Sequence, residues 1–383
     1  MRKTFKYKVK INEKTEANCL DWLDKCRTLY NLCLEQRIIY WNQWKKNISY
    51  YEQKRELPFF KKEFPEYKNI SAQTLQSVIE RLDKTYQNFF RKIKKSEKTG
   101  FPRFKGKDRY DSFILQQTGW KLEGRYLYIK NVGRFKLFLS RPIEGKIKTV
   151  TIKKTNTNQW FVSFSCDEVV PNHFWKPKKE DVGIDVGLKV FLADSEGNKV
   201  KNPRFFKKSE RELRVKQRSL SRKKKGSIRR RKNRLSVAKT HEKISNQRID
   251  FVNKLVFDYV SRYKNIFIED LNIKKMVSEK QFSKSISDVS WGLFFNKLQV
   301  KAAEAGRVVI KVNPKNTSQR CSSCDCIVPK DLSVRIHKCD CGLVLDRDVN
   351  AAINILKLGR ADLSGVKSAG TSISPKISRF TRG

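Results

Sequence analysis

The sequence predicts an α/β chain of more than one domain, and three observations carry that expectation. The chain has 383 residues, against roughly 100–200 for an ordinary domain. Over residues 1–177 its apolar pattern runs at period two, then at the helical period, then at period two again. From residue 178 the order becomes strand pair, helix, strand, helix, strand, the alternation of an α/β layer.

Residues 1–11 read as a strand, with Phe5, Tyr7, Val9 and Ile11 on one face. Residues 12–109 read as a helical domain inserted after it. Leu75, Val78, Ile79 and Leu82, followed by Tyr86, Phe89 and Phe90, fall along one helix side. Helical spacing likewise assigns Trp41, Trp44, Phe89 and Phe90 to the core. Gly100-Phe101-Pro102-Arg103-Phe104 breaks the pattern, and residues 110–177 return to strands with turns at Glu123-Gly124 and Asn156-Thr157-Asn158. With the first strand they make a small β-barrel or sheet. Pro171 and Pro177 set the boundary near residue 178. Val182 to Ala193 then forms a strand pair broken near Gly187, with a hairpin turn at Ser195-Glu196-Gly197-Asn198. A basic helix over 204–234 and a helical pattern to about Tyr263 follow. Asn265 to Glu269 is a short buried strand, Trp291 to Ala305 a helix, and Val308 to Ile310 another strand. A last helix starts around Asp346. The tail, 359–383, rich in Ser and Gly, is expected to be disordered.

With 85 Lys+Arg against 39 Asp+Glu, the formal charge is +46. Such an excess is not that of an ordinary small-molecule enzyme and calls for a polyanionic partner, nucleic acid above all. No secretion signal opens the chain and no run reaches the roughly 18 apolar residues of a membrane span, so a cytosolic protein without a membrane partner is expected. Of nine cysteines, five (Cys321, Cys324, Cys326, Cys339 and Cys341) fall in a 21-residue window, a distribution that suits metal and not a disulfide scaffold. Cys19, Cys26, Cys33 and Cys166 lie on helical or strand patterns as core residues.

In Val182-Gly183-Ile184-Asp185-Val186-Gly187, alternation puts Asp185 between two glycines on one face. A carboxylate within an apolar strand costs several kcal/mol unless it is paired or bound to metal, and the glycines let a ligand or backbone approach. Glu269 ends the second buried strand in the same way. Asp346 and Asp348 stand where a helix begins and could each be a cap. Alternatively, three carboxylates from separate elements converge on Mg²⁺ ions for phosphodiester hydrolysis.

The segments GIDVGL, FIEDL and DRDVNAAINI, in that order and with KNTSQRCSSC between the last two, resemble the nuclease motifs of the transposon-encoded TnpB (OrfB) family, related to type V CRISPR effectors. The stretches LDKTYQNFF, GFPRFK and RIDF add to the resemblance, which runs from about residue 70 to 358. It implies an RNase H-like (RuvC) nuclease domain at 178–316 and 343–358 with an inserted zinc ribbon at 317–342, and an N-terminal lobe that combines the barrel with a helical recognition domain. It implies an Mg²⁺-dependent endonuclease guided by a transposon-end RNA to double-stranded target DNA beside a short flanking motif. Carried over, the catalytic and metal-holding acids are Asp185, Glu269 and Asp348. Asp270 and Asp346 are lookalikes, and Asp348 is chosen because the family's acid stands two residues before the Asn of Asn-Ala-Ala.

Cys321-x-x-Cys324 and Cys339-x-Cys341 supply four thiolates, a full set for structural Zn²⁺. Cys326 and His337 are substitute ligands. In the basic run, 16 Lys and Arg face only Glu210 and Glu212 within 31 residues, so a phosphate backbone is the natural neutraliser. Arg222, Lys223, Lys224, Lys225, Arg229, Arg230 and Arg231 are its densest part. Arg91, Lys92, Arg103 and Lys105, with Phe101 and Phe104, form a second patch suited to phosphate contact and base stacking. Two other readings stay open: a nucleic-acid-binding protein that does not cut, and a protein-only transposase.

Overall fold

Alternation of lysines with Phe5, Tyr7 and Val9 produces β1 (Lys3–Lys10), whose apolar face is buried and whose lysines 6, 8 and 10 are exposed. The computed structural model describes residues 2–169, 176–279, 283–331 and 334–368, and the chain divides into two units, Met1–Val170 and Pro171–Gly383.

In the first unit Asn12 caps α1 (Glu13–Trp44) by accepting from the Thr15 N–H at 2.8 Å. Ser49 and Glu52 form a capping box at the start of α2 (Tyr50–Glu63). A 3₁₀ turn at Pro65–Tyr67 leads to α3 (Ala72–Lys94). Six strands follow: β2 (Ser112–Leu115), β3 (Trp120–Glu123), β4 (Tyr126–Ile129), β5 (Gly133–Leu137), β6 (Lys146–Lys154) and β7 (Trp160–Asp167). All pair antiparallel in the order β2-β6-β7-β1-β5-β4-β3, so β1 sits in the centre and β2 and β3 at the edges. The two edges are not paired with each other among the described residues, and the element is a sheet and not a hydrogen-bonded closed barrel. Cys19, Cys26 and Cys33 of α1 and Leu75, Val78, Ile79 and Leu82 of α3 share one core with the sheet, Cys166 included.

Trp41, Trp44 and Phe90 are not core residues: they are 49%, 54% and 52% exposed. The helical spacing is there, but the last buried residue of α1 is Arg37, so its final two turns overrun the surface against which they could pack. Phe89 is half-buried.

The second unit begins with β8 (Lys179–Val186), β9 (Val190–Asp194) and β10 (Lys199–Lys201), an antiparallel meander. Then come α4 (Phe205–Ser221), α5 (Ile228–Arg262), β11 (Tyr263–Glu269), α6 (Ile273–Ser278), α7 (Ser283–Val289), α8 (Trp291–Glu304) and β12 (Val308–Val312). The sheet order is β10-β9-β8-β11-β12, with β11 parallel to both β8 and β12. A hairpin, β13 (Ile336–Lys338) and β14 (Val344–Asp346), precedes α9 (Arg347–Ser368) and carries the cysteine segment past residue 342.

The sheet has two distinct faces. Val182, Ile184, Ile266 and Ile268 pack with residues of α5 and α8, whereas Phe267, Val312, Ile355 and Leu363 cluster on the opposite face, beneath α9. Two glycines permit that second packing. A Cβ at Gly183 would lie 2.1 Å from the Ala352 carbonyl oxygen, and one at Gly359 would lie 2.1 Å from the Phe267 ring.

Two expectations are corrected here. The basic run at 204–234 is not one helix: Gly226, with φ +87°, and Ser227, which caps α5, fold it into a hairpin of α4 and α5. Nor does order stop at residue 358, because α9 continues to Ser368. Gly359 is a site of close packing, Leu363 is buried, and Arg360 donates to Asp181 at 2.6 Å. Residues 369–383 of the expected disordered tail lie outside the described residues.

Candidate functional site

Asp185 and Glu269 follow directly after the paired residues Ile184 and Ile268 on adjacent parallel strands, so they leave β8 and β11 at the same height. In-register positions of parallel strands point to one side. That side is α9's, because Gly183 and Phe267, two residues before each acid, are the positions packed on α9. Asp348 lies one turn before Ala352, the residue seated on Gly183. Packing of a helix on a glycine thus places Asp348 on the side of the sheet that Asp185 and Glu269 share. The Asp185 carboxyl is held well above the usual range by burial first, then by the charges of Glu269 and Asp348, with Arg347 opposing. Burial also raises Glu269, against a hydrogen bond from Thr317.

The lookalikes are engaged elsewhere. Asp346 accepts from the backbone N–H groups of Asp348 and Val349 at 3.0 and 3.3 Å and pairs with Lys199 at 2.5 Å, which makes it the cap of α9. Asp270 is exposed and pairs with Lys311 at 3.0 Å. Two neighbours went unremarked in the sequence. The Thr317 hydroxyl donates to Glu269 Oε1 at 2.5 Å, and Arg347 donates to Asp348 Oδ1 at 3.2 Å with both side chains 14% exposed. Both stand inside quoted motifs, but nothing in their spacing says what they touch.

The sulfurs of Cys321, Cys324, Cys339 and Cys341 all lie within 4.8 Å of one another. Cys321 and Cys341 are 3.6 Å apart and Cys324 and Cys339 3.5 Å. Four thiolates about 2.3 Å from one tetrahedral ion would be separated by roughly 3.8 Å, so the donor set fits a single metal ion. Burial raises the Cys321 thiol, but the N–H groups of Cys324 and Ser323 and the His337 ring outweigh it and hold it down to about 6. Neither Cys326 nor His337 belongs to the group: Cys326 is exposed, and its carbonyl accepts from the Cys321 N–H. Among the described residues these four cysteines are the one group of three or more potential ligands so closely gathered.

The cysteine segment is tied to the acids through two buried asparagines of α9. Asn350 accepts from the Ser322 N–H at 2.9 Å and donates to the Arg320 carbonyl at 2.8 Å. Asn354 donates to the carbonyls of Thr317 and Arg320 at 2.9 and 2.7 Å. Residues 317–322 are therefore pinned to the helix that carries Asp348, and Thr317 reaches from there to Glu269.

Of the basic residues at the α4–α5 turn, Arg222, Lys224, Lys225, Arg229 and Arg231 are exposed, while Lys223 is half-buried. Arg230 is half-buried, and its guanidinium donates to the carbonyls of Leu220 and Lys223 at 2.9 and 2.8 Å, closing the end of α4. Asp288 of α7 braces the other end of α4 by accepting from the N–H groups of Phe206 and Lys207 and from Arg248. In the first unit Arg91 and Arg103 are exposed and Lys92 and Lys105 half-buried.

A sheet with two acids at one height on the side of the helix that carries a third, with a four-cysteine knuckle and a basic helical hairpin in the same unit, suits a nucleic-acid-processing class of protein. Comparison with known proteins gives the family. The chain is 30% identical over 385 residues, covering 98% of this chain and 93% of the relative, to a Streptomyces pristinaespiralis protein named "Putative RNA-guided DNA endonuclease". It is 29% identical to the Escherichia coli (strain K12) protein "Putative RNA-guided DNA endonuclease InsQ", covering 94% of this chain and 93% of that one. The OrfB_IS605 family description, "Probable transposase", matches residues 163–279, and the "Cas12f1-like, TNB domain" description matches residues 291–355. A solved structure, "Structure of the mini-RNA-guided endonuclease CRISPR-Cas_phi3", aligns over 94% of this chain and 92% of its own with 11% identity and a TM-score of 0.49. This chain belongs to the TnpB (OrfB) family.

Proposed function

We propose that the protein is an RNA-guided DNA endonuclease, which hydrolyses double-stranded DNA complementary to a transposon-derived guide RNA beside a short flanking motif. The observation that carries the reading is its relationship, along nearly the whole chain, to proteins named for that activity. Support comes from the second unit. Its meander followed by two strands parallel to the first suits an RNase H-like, RuvC-type nuclease sheet.

In this reading Asp185, Glu269 and Asp348 hold Mg²⁺, since burial raises Asp185 and Glu269, the charges of Glu269 and Asp348 raise Asp185 further, and a divalent cation relieves that cost. Bound Mg²⁺ supplies charge stabilisation to a phosphodiester undergoing attack by water. Thr317 fixes the Glu269 carboxylate, and Arg347 offsets negative charge beside Asp348. Cys321, Cys324, Cys339 and Cys341 hold structural Zn²⁺ and keep residues 317–322 in shape. The exposed Arg and Lys of the α4–α5 turn hold phosphates of the guide and target.

The experiment is cleavage of matched plasmid DNA by protein purified with its RNA, with Mg²⁺ and with chelator. Guide-matched, Mg²⁺-dependent cutting is expected, and cutting that ignores the RNA would overturn the reading. The family description as a transposase favours one other reading. Joining of labelled transposon ends to a target by the protein alone would establish it.

A further inference from the structure

The first unit carries a cavity of about 560 Å³ between the end of α1 and the end of α3, within the roughly 300–1,000 Å³ usual for ligand sites. Its walls include Trp41, Tyr86, Phe89, Phe90 and Phe101. Phe101 stands edge-on to Tyr86 and Phe89, with ring centroids 5.8 and 5.4 Å away. The rings are thus ordered against one another, while Trp41, Phe90 and Phe101 remain about half exposed, at 49%, 52% and 49%.

The floor is polar and already satisfied. Arg37, 8% exposed, donates to Gln53 at 2.9 Å and to Asp83 at 3.2 Å, and Gln87 donates to Asp83 at 2.6 Å. Asp83 is therefore paired, and the amides of Asn42 and Asn47 are the polar groups left among the lining residues. Next in sequence to the lining residues stand cations: Lys45 and Lys46 after α1, Arg91 and Lys94 in the last turn of α3, and Arg103 two residues after Phe101, all exposed.

We propose that this cavity receives unpaired bases of the RNA the protein carries. Aromatic walls, amide groups and exposed cations on the flanking segments match a base with its phosphate, and stacking on side chains needs a base whose faces are free, which excludes duplex. RNA is the occupant because three large aromatic faces left open would favour association in a free protein, and a resident RNA covers them permanently, whereas target DNA is met only at cleavage. This rests on the RNA-guided reading for the source of the RNA.

The test uses the full chain and a single-stranded RNA about ten nucleotides long carrying a photoreactive uridine, a length within one binding channel. Tryptophan emission should fall on binding, and crosslinks should map to peptides holding Trp41, Phe90 or Phe101. Phe90→Ala, at an exposed position that folding does not need, should weaken binding about tenfold, as loss of one stacked base does. Crosslinks elsewhere only, equal labelling by the same RNA in duplex, or stronger labelling by single-stranded DNA would overturn the proposal. So would a protein that sediments as a dimer which Phe90→Ala dissociates without loss of RNA affinity, since the rings would then serve a second copy. RNA that crosslinks here in a protein whose cutting ignores its guide would support the cavity and remove the proposed function instead.

Discussion

Asp185 sits where burial and two neighbouring carboxylates all disfavour its charge, and that fixes the sign of a pH effect. With its folded pKa raised above the ordinary Asp value near 3.8, the metal-free folded protein retains a proton the unfolded chain has released. Stability is then full below the ordinary carboxylate range and declines as pH rises through the raised value. Asp185→Asn should therefore raise the Tm of metal-free protein at pH 7, with the gain shrinking toward pH 4. Mg²⁺ should raise the Tm of wild type and not of the variant. A variant less stable than wild type at neutral pH would contradict the electrostatic account. In cleavage, Asp185→Ala and Asp348→Ala should each lose a factor of about 10² or more, whereas Asp346→Ala should cost about 1 kcal/mol of stability through the lost cap and leave most activity. The sequence offered Asp346 and Asp348 as near-equivalents at a helix start. The family motif favoured Asp348, and the partners of Asp346, two N–H groups and Lys199, now account for Asp346 as the cap. Thr317 was illegible, since a side chain that reaches across 48 residues to Glu269 has no local pattern.

At the scale of elements, patterning disclosed the strands and helices wherever one face is buried. It failed where a helix outran its packing surface, as at Trp41, Trp44 and Phe90, and where a turn interrupts a uniform charge run, as at Gly226. Charge carries no periodicity, so the reversal between α4 and α5 was hidden among lysines and arginines. The hairpin gives a divided prediction. Replacing Arg229 and Arg231 by Ala should weaken binding to all sequences and lower the salt slope by about 2, each phosphate contact contributing roughly 0.9. Arg230→Ala should lower Tm instead, because the Leu220 and Lys223 carbonyls lose their donor. An unchanged salt slope in the double variant would return these side chains to a solvated face. The cysteine knuckle gives another. Cys324→Ser or Cys339→Ser should lower zinc content and folded yield together. Thr317→Val should keep zinc yet slow cleavage about ten- to hundredfold, the scale of a lost hydrogen bond to a charged group. Normal cleavage in Thr317→Val would detach the knuckle from the acids.

For the whole molecule, a charge of +46 describes a surface made for phosphate and says nothing of sequence. Direct reading of a long target would require many bidentate contacts to base edges, whereas pairing with RNA delegates that task and leaves the protein with backbones and a short motif. The central claim is therefore that the RNA chooses the cut. The measurement that tests it replaces the guide portion of the bound RNA and presents, beside an unchanged flanking motif, plasmids matching the new guide or the old. The account predicts Mg²⁺-dependent cutting of the plasmid that matches the new guide alone, abolished by Asp185→Ala. Continued cutting of the old sequence, or cutting by protein stripped of RNA, would contradict it.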